Sequence, residues 1–189
     1  YYAYDDCDGR RATGRAAANH CWTMEAAPGA CVRLELVYST APVTDSAAEM
    51  LADTERERKK LAEQAGFADP NASVLAKAAG QFISYRASTG QDTILAGYPF
   101  FEDWGRDTMI ALPGVCLATG QYDTAKSILY TFAAHEKDGL MPNLFPEGGN
   151  KPMYNTVDAA LLFINCVYLY TLKTKDMAFV REMFPVMER

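Results

Sequence analysis

Residues 96–114, AGYPFFEDWGRDTMIALPG, form the stretch of this chain that says most about its fold. Four aromatic rings, three carboxylates and one arginine lie in an irregular run that opens directly onto an apolar segment. That segment predicts a helix from about Asp107 to Ala118. Pro113 predicts a kink or a late start, because a proline removes a backbone hydrogen bond from a helix. Gly120 is typical of the residue that follows a helix C-terminus.

Helical patterns dominate the chain on both sides of this stretch. The capping box Ser46-Ala47-Ala48-Glu49 predicts a charged helix over 46–65 with a thin apolar face, and another helix begins near Asp176. Apolar spacing predicts three more helices. Their ranges and apolar faces are 73–86 with Val74, Leu75, Ala78, Ala79, Phe82 and Ile83; 122–136 with Ala125, Ile128, Leu129, Phe132 and Ala133; and 156–172 with Val157, Ala160, Leu161, Ile164 and Tyr168.

The first part of the chain, residues 1–42, has a different pattern. Apolar residues alternate with polar ones from Val32 to Tyr38, which predicts a half-buried strand. Pro28-Gly29 before it is a turn signal. This part is too short for a sheet domain of its own, so we expect it to be the tail of a β-rich domain.

Composition and charge exclude several classes of protein. The 189 residues are 49% hydrophobic and 22% charged, which is typical of a globular protein. The net charge is −6 without any Lys/Arg run, so nucleic acids and anionic membrane surfaces are poor partners. No apolar run approaches the roughly 18 residues that a membrane span needs. Glycine-rich nucleotide motifs are missing as well, so no cofactor is expected.

The cysteines and histidines favour a reduced compartment without a bound metal. Five cysteines at wide spacings include no C-x-x-C pair, which indicates reduced thiols in a cytoplasmic protein rather than disulfides. The two histidines, His20 and His135, are far apart, so a zinc site is not expected.

Two long connections separate the predicted helices, at residues 88–106 and 138–155. Sequential helices joined by short loops are usually antiparallel neighbours, so both long connections should emerge at the same end of the helices. Loops of this length in a compact domain are usually functional or disordered. Because these two are rich in aromatic residues, Pro and Gly, we expect them to build a binding face.

The first connection combines flat rings with charged groups that suit a hexopyranose. An apolar ring face can cover the C–H side of a sugar, a carboxylate can accept from two adjacent hydroxyls, and an arginine can donate to a third. The candidates are Tyr98, Phe100, Phe101, Trp104, Asp103, Arg106 and Asp107. A structural alternative stays open, in which Asp107 caps its helix, Arg106 pairs with Asp103 and the rings are core.

The second connection ends in Asn155-Thr156-Val157-Asp158, where a helix begins. In one interpretation Asn155 or Thr156 is an N-cap and Asp158 favours the positive end of the helix dipole. In the other, Asp158 points towards the same binding face as Asp107. A second carboxylate there would suit glycoside hydrolysis, which needs an acid and a base on either side of the bond.

Three runs, AKAAGQFISYR at 76–86, AGYPFFEDWGRDTMIALPG at 96–114 and GLMPNLFPEGGNKPMYNTVDAALLF at 139–163, resemble the glycogen debranching enzyme family in its amylo-α-1,6-glucosidase domain. The resemblance implies a mainly α fold, an (α/α)6 barrel of two concentric rings, and hydrolysis of α-1,6-glucosidic branch points in glycogen with inversion. Its motifs imply that Arg106 and Asp107 hold glucose hydroxyls, that Trp104 is a packing or stacking wall, and that Asn155 and Asp158 line the same pocket. Phe101 is a further candidate for substrate binding.

The resemblance also implies that the chain is a fragment. The family's general acid and base lie in later motifs that would follow Arg189, so Asp158 is left as a minor catalytic candidate. We expect residues 1–42 to end a β-domain, 43–70 to form a linker helix, and 71–189 to form the first half of the barrel. The rest of the polypeptide would complete it, and this chain alone would be inactive. A non-catalytic glucan-binding module and a purely structural helical array are the alternatives.

Overall fold

The computed structural model describes residues 21, 23–39, 42–98, 101–145 and 151–189. The chain divides into two units, Tyr1–Ala48 and Glu49–Arg189. The predicted domain boundaries after residues 42 and 70 stay predictions.

The described part of the first unit contains a turn but no strand. The Ala30 amide donates to the Ala27 carbonyl at 3.0 Å and Gly29 takes φ +80°, as expected for a Pro-Gly turn. The strand predicted over 32–38 does not form there, and Val32, like the other apolar side chains of this stretch, is exposed. A strand needs a hydrogen-bonded neighbour, and no described segment pairs with this one.

The described residues form six α-helices and one β-hairpin, so the chain is mainly helical. In chain order the elements are α1 (Ala47–Ala65), α2 (Pro70–Ala79), β1 (Ile83–Arg86), β2 (Gln91–Ile94), α3 (Gly105–Leu112), α4 (Tyr122–Ala134), α5 (Asp158–Thr174) and α6 (Met177–Met187). None of the described helices has the length and apolar character needed to cross a membrane. The helices predicted over 46–65, 122–136 and from Asp176 are confirmed.

The helix predicted over 73–86 is wrong at both ends. Asp69 caps α2 earlier, and its carboxylate accepts from two amides of the first turn at 2.7 and 3.0 Å. The predicted apolar face is also wrong, because Val74 and Leu75 are exposed and Ala76 is the buried residue. Helical spacing alone therefore placed this element one turn too late.

Residues 83–86 leave the helical path and form the hairpin instead. β1 pairs antiparallel with β2 in the register Ile83↔Ile94 to Arg86↔Gln91. Gly90 takes φ +67° in the turn, a conformation that suits glycine. The β-branched residues of both strands pack well on a pleated surface, so for residues 83–86 a strand paired with β2 is more stable than a continuation of α2.

α3 begins at Gly105 and changes to a π-helical turn over Pro113–Leu117. The predicted disturbance at Pro113 is confirmed: the Ala118 amide donates to the Pro113 carbonyl five residues back, at 2.9 Å. Gly120 takes φ +75° directly after this turn, as predicted for the residue that ends it.

The core of the second unit lies where α3, α4 and α5 meet. α4 buries the face predicted for it, including Ile128, Leu129 and Phe132. α5 buries the opposite face from the predicted one, because it is apolar on both sides and spacing cannot choose between them. Its buried residues are Ala159, Phe163, Cys166, Val167 and Tyr170, whereas Val157, Leu161, Ile164 and Tyr168 are exposed.

Two buried thiols in this core provide a test of the packing. Burial raises the pKa of Cys116 and of Cys166 to about 12. The thiolate is the reactive form, so both should resist alkylation at pH 8 in the native state, while the exposed Cys21 and Cys31 react. Mass spectrometry after iodoacetamide treatment, with and without guanidinium, measures this. Native labelling of Cys116 or Cys166 as fast as of Cys31 would contradict the fold.

Candidate functional site

A buried arginine–carboxylate pair holds the first connection against the hairpin. Arg86 Nε donates to Asp103 Oδ2 at 2.7 Å, and Arg86 Nη2 donates to Asp103 Oδ1. Thr93 Oγ1, on the neighbouring strand, donates to the same Asp103 Oδ2 at 2.8 Å. The Asp103 residue is 1% exposed. This is a buried ion pair with two hydrogen bonds. Asp103 directly precedes Trp104, the N-cap residue of α3.

The same guanidinium also contacts the second connection. Arg86 Cζ lies 5.5 Å from the centre of the Phe145 ring, which packs edge-on against Phe132 of α4. A guanidinium over an aromatic face is attracted by the ring quadrupole. One side chain therefore joins β1 to both long connections.

Sequence reasoning missed Arg86 and offered Asp103 as a partner of Arg106 or of a sugar. Both interpretations of Asp103 are wrong, because Asp103 is buried and paired with Arg86. Residues 83–86 form β1 rather than the predicted helix, which brings Arg86 to the first connection. The available signal was a single arginine at the end of a short β-branched segment, followed by a Gly-containing turn.

Burial raises the pKa of the Asp103 carboxyl, and the hydrogen bonds from Arg86 and Thr93 act in the opposite direction. The guanidinium stays charged at all ordinary pH values. Loss of the negative charge at Asp103 would therefore leave a cation in the interior without its counterion.

The junction between the two connections is made by backbone at Gly105. The Gly105 amide donates to the Asn143 carbonyl at 2.8 Å, and Trp104 forms an antiparallel bridge with Leu144. A Cβ at Gly105 would overlap the Pro142 carbonyl oxygen and come within 3.1 Å of Phe132. The glycine of the Trp-Gly-Arg-Asp motif is thus required by close approach of the second connection. The expectation that the two connections meet is confirmed.

α3 and α5 begin side by side. Arg106 Nη1 donates to Asp158 Oδ2 at 3.2 Å, and Cys166 Sγ donates to the Met109 carbonyl at 3.1 Å further along both helices. The two helices therefore run in the same direction with their N-termini at one end. We call residues 104–107 and 155–158, which meet there, the rim.

Arg106 and Asp158 form a half-exposed pair at the rim. Both side chains are 46% exposed, so the guanidinium of Arg106, which has five N–H donors, is partly open to a ligand. The structural alternative that pairs Arg106 with Asp103 is wrong, because Asp103 is taken by Arg86.

Asp107 is exposed and, within the described ranges, has no hydrogen-bond or ion-pair partner. It is not the N-cap of α3, since that position belongs to Trp104, whose side chain makes no capping bond. Asp107 lies beside a cleft of about 340 Å³ whose apolar walls include Phe82, Ile94 and Ile110. A free carboxylate at the mouth of an apolar cleft can accept from hydroxyl groups.

The aromatic candidates are placed differently from one another. Trp104 is half-buried between the connections, and Phe101 is 58% exposed and bridges to Gly97 through its backbone. The hydroxyl of Tyr98 donates to the Gln81 carbonyl at 2.5 Å, while much of its ring is exposed. Phe100 lies outside the described residues. Phe101 and Tyr98 are therefore the more exposed of the described candidate rings, although the Tyr98 ring also packs against Phe82 with the ring centres 5.7 Å apart.

Asn155 is exposed and accepts a hydrogen bond at 2.9 Å from Asn143 Nδ2. Val157 is the N-cap residue of α5 and makes no side-chain capping bond, so the interpretation of Asn155 or Thr156 as N-cap is wrong. Asp158 stands in the first turn of α5, where a negative charge is favoured. The described residues contain no group of three His, Cys, Asp or Glu side chains that could hold a metal ion.

Replacing Asp103 with Asn should lower the free energy of unfolding by about 3–5 kcal/mol, because it leaves Arg86 buried without its counterion. The matched control is Asp53→Asn, which removes the carboxylate of the exposed Arg56–Asp53 pair on α1. It should change the free energy by less than about 1 kcal/mol. Urea denaturation measures both, and equal losses would contradict the structural role of the buried pair.

Replacing Gly105 with Ala should cost about 1–3 kcal/mol of unfolding free energy, since the new methyl group overlaps the Pro142 carbonyl. Gly114→Ala is the control, because a Cβ there meets nothing within 4 Å. In a helical segment it should be neutral or stabilise by up to about 1 kcal/mol. The same urea titration decides, and a Gly105→Ala protein as stable as the parent would refute the close approach.

Two comparisons of the sequence with known proteins indicate one family. The sequence profile of the family described as amylo-alpha-1,6-glucosidase matches residues 77–189. The glycogen debranching enzyme of Saccharomyces cerevisiae (strain ATCC 204508 / S288c) is 42% identical to this chain over 89 residues, which cover 44% of this chain and 6% of the yeast protein. The chain thus spans a small fraction of that relative's length. The family match extends over more than half of the sequence and includes the rim, and the chain belongs to the amylo-alpha-1,6-glucosidase family.

Proposed function

We propose that this chain is part of a glycoside hydrolase that cleaves α-1,6-glucosidic branch linkages of glycogen or a similar branched α-glucan with inversion. The observation that supports this most is the composition of the rim. The half-exposed guanidinium of Arg106 pairs with the Asp158 carboxylate where two parallel helices begin, and Asp107, the next residue after Arg106, carries an exposed and unpaired carboxylate. Such a set can hold the vicinal hydroxyls of a terminal glucose.

The roles follow from these positions. Arg106 donates to sugar oxygens, Asp107 and Asp158 accept from hydroxyls, and Asn155 adds a neutral amide. Phe101 offers an exposed ring to the apolar face of the sugar, and Trp104 forms the half-buried wall behind it. Because Arg106 already neutralises Asp158, we assign Asp158 to binding rather than to proton transfer.

The catalytic acid and base would come from elsewhere in the polypeptide. Inversion needs two carboxyl groups about 6.5–9.5 Å apart, with room for a water molecule. The remainder of the polypeptide would also complete the proposed (α/α)6 barrel by covering the exposed apolar side of α5. A reducing compartment such as the cytoplasm suits the free cysteines at positions 21, 31, 116 and 166.

A glucan-binding helical module without catalysis is the second candidate. It is favoured by the engagement of Asp158 with Arg106, which suits binding better than acid–base work. The two functions differ in one result: release of glucose from an α-1,6-branched dextrin by the polypeptide that carries this chain.

Asp107→Asn in that polypeptide should reduce kcat/KM on a branched dextrin by about 10- to 100-fold, since a charged hydrogen-bond acceptor is lost. Asp123→Asn is the matched control: Asp123 is also an exposed aspartate in the first turn of a helix, α4. Asp123→Asn should leave turnover unchanged. Since it removes the same charge from the first turn of a helix, this result would show that the loss in Asp107→Asn does not come from the helix dipole. Unaltered kinetics for Asp107→Asn would argue against a role of the rim in glucose binding.

A further inference from the structure

Asn143 lies at the point where the second connection crosses the start of α3. The residue is 2% exposed. Its carbonyl accepts from the Gly105 amide at 2.8 Å, and its amide donates to the Met153 carbonyl at 2.7 Å. The next residue, Leu144, forms antiparallel bridges with both Trp104 and Met153. The backbone at Asn143 is therefore fixed from both sides, by the segment that opens α3 and by the segment that leads to α5.

The side chain of Asn143 holds the amide group of Asn155. Asn143 Nδ2 donates to Asn155 Oδ1 at 2.9 Å. Because the oxygen and the nitrogen of a primary amide lie on different branches of one planar group, this bond turns the NH2 group of Asn155 away from Asn143. Asn155 is exposed, and within the described ranges its Nδ2 has no acceptor. Asn155 thus presents N–H donors at its exposed position rather than a carbonyl oxygen.

The opposite orientation of the two amides is less favourable. It would place the NH2 group of Asn143 where its Oδ1 now lies, a buried position without a hydrogen-bond partner among the described residues. A buried N–H group without an acceptor is rarer in proteins than a carbonyl oxygen without a donor. The amide of Asn143 is therefore the donor of this pair, and the amide of Asn155 is the acceptor.

Asn155 belongs to the rim, three residues before Asp158, which pairs with Arg106. The carboxylates of Asp107 and Asp158 only accept hydrogen bonds, whereas a sugar hydroxyl both donates and accepts. An uncharged N–H donor beside these carboxylates gives the hydroxyl oxygens a partner that does not compete with Arg106 for them. The orientation of Asn155 therefore complements the charges of the rim.

We propose that Asn143 is a positioning residue of the rim, whose side-chain amide fixes Asn155 so that Asn155 Nδ2 donates to hydroxyl oxygens of the bound glucose. This rests on the proposed function of the rim. It adds a role for Asn143, which the motif resemblance did not assign, and it makes Asn155 a donor to the sugar rather than an acceptor.

The test is a double-mutant cycle, measured by calorimetric titration of the polypeptide that carries this chain with glucose. Asn155→Ala removes the donor and should weaken glucose binding roughly 10-fold. Asn143→Leu leaves the side chain of Asn155 in place but free to rotate, so it should weaken binding by about 2- to 10-fold. In the Asn155→Ala background, Asn143→Leu should have no further effect, because a residue that acts through Asn155 has nothing left to position.

Asn155→Asp tests the direction of the hydrogen bond. The new carboxylate still accepts from Asn143 Nδ2 but cannot donate to a sugar, so glucose binding should fall at least as far as in Asn155→Ala. If Asn155 offers an acceptor oxygen to the sugar instead, Asn155→Asp will bind glucose as well as the parent or better. That result would overturn the proposal.

Thr119→Val is the matched control for lost stability. It removes a buried hydroxyl that donates to the Val115 carbonyl at 2.6 Å, beyond the π-helical turn that follows α3. It should lower the free energy of unfolding, measured by urea denaturation, and leave the glucose affinity of the folded protein unchanged. Asn143→Ala removes the same hydrogen bond as Asn143→Leu with a smaller side chain, and it replaces that variant in the cycle if Asn143→Leu does not fold.

Equal losses of affinity from Asn143→Leu in the parent and in the Asn155→Ala background would give Asn143 a structural role only and overturn the proposal. Parent-like affinity in both single variants would do the same. If Asp107→Asn still loses kcat/KM on a branched dextrin in either case, the proposed function survives and the positioning role fails. A parent polypeptide that neither binds glucose nor releases it from the dextrin would refute both.

Discussion

The ion pair between Arg86 and Asp103 is the interaction on which the arrangement of the site depends. Asp103 immediately precedes the N-cap of α3, Arg86 ends β1, and the guanidinium covers the ring of Phe145 in the second connection. Removing two charges from water is costly, and their attraction repays this only when the geometry is good and further hydrogen bonds are made. Thr93 supplies such a bond. The pair therefore fixes the position of the start of α3 relative to the hairpin.

A second constraint acts through the backbone at the junction of the connections. Gly105 lets the second connection approach the first turn of α3 closely enough for its amide to reach the Asn143 carbonyl. This contact and the Trp104↔Leu144 bridge bring the start of α5 beside the start of α3. Arg106 can then reach Asp158, although 52 residues separate them in the chain. The buried pair and Gly105 thus position the rim, whose charged groups Arg106, Asp107 and Asp158 stay at least partly exposed.

The helices also show how burial depends on what surrounds an element. α5 has apolar residues on all sides, and α3 and α4 cover the side that carries Phe163 and Val167. Leu161, Ile164 and Tyr168 stay exposed on the other side. In the proposed barrel this second side would meet further helices of the same polypeptide. The same residues in an isolated two-layer domain would be a liability, because large exposed apolar patches promote association.

Local chemistry in the sequence was sufficient for the ends of several helices and for the family. Asp176 caps α6, Pro113 forces a π-helical turn, Gly120 ends it, and the Trp-Gly-Arg-Asp run opens α3 near the predicted place. Each of these effects acts within one or two turns of chain. Contacts between distant segments decided the rest. Residues 83–86 form a strand because they pair with β2. Asp103 pairs with Arg86, so Arg106 pairs with Asp158 instead. Packing against α3 and α4 determines which side of α5 is buried. A pattern of apolar residues records that a segment has a buried face, but only its neighbours in space determine which face that is.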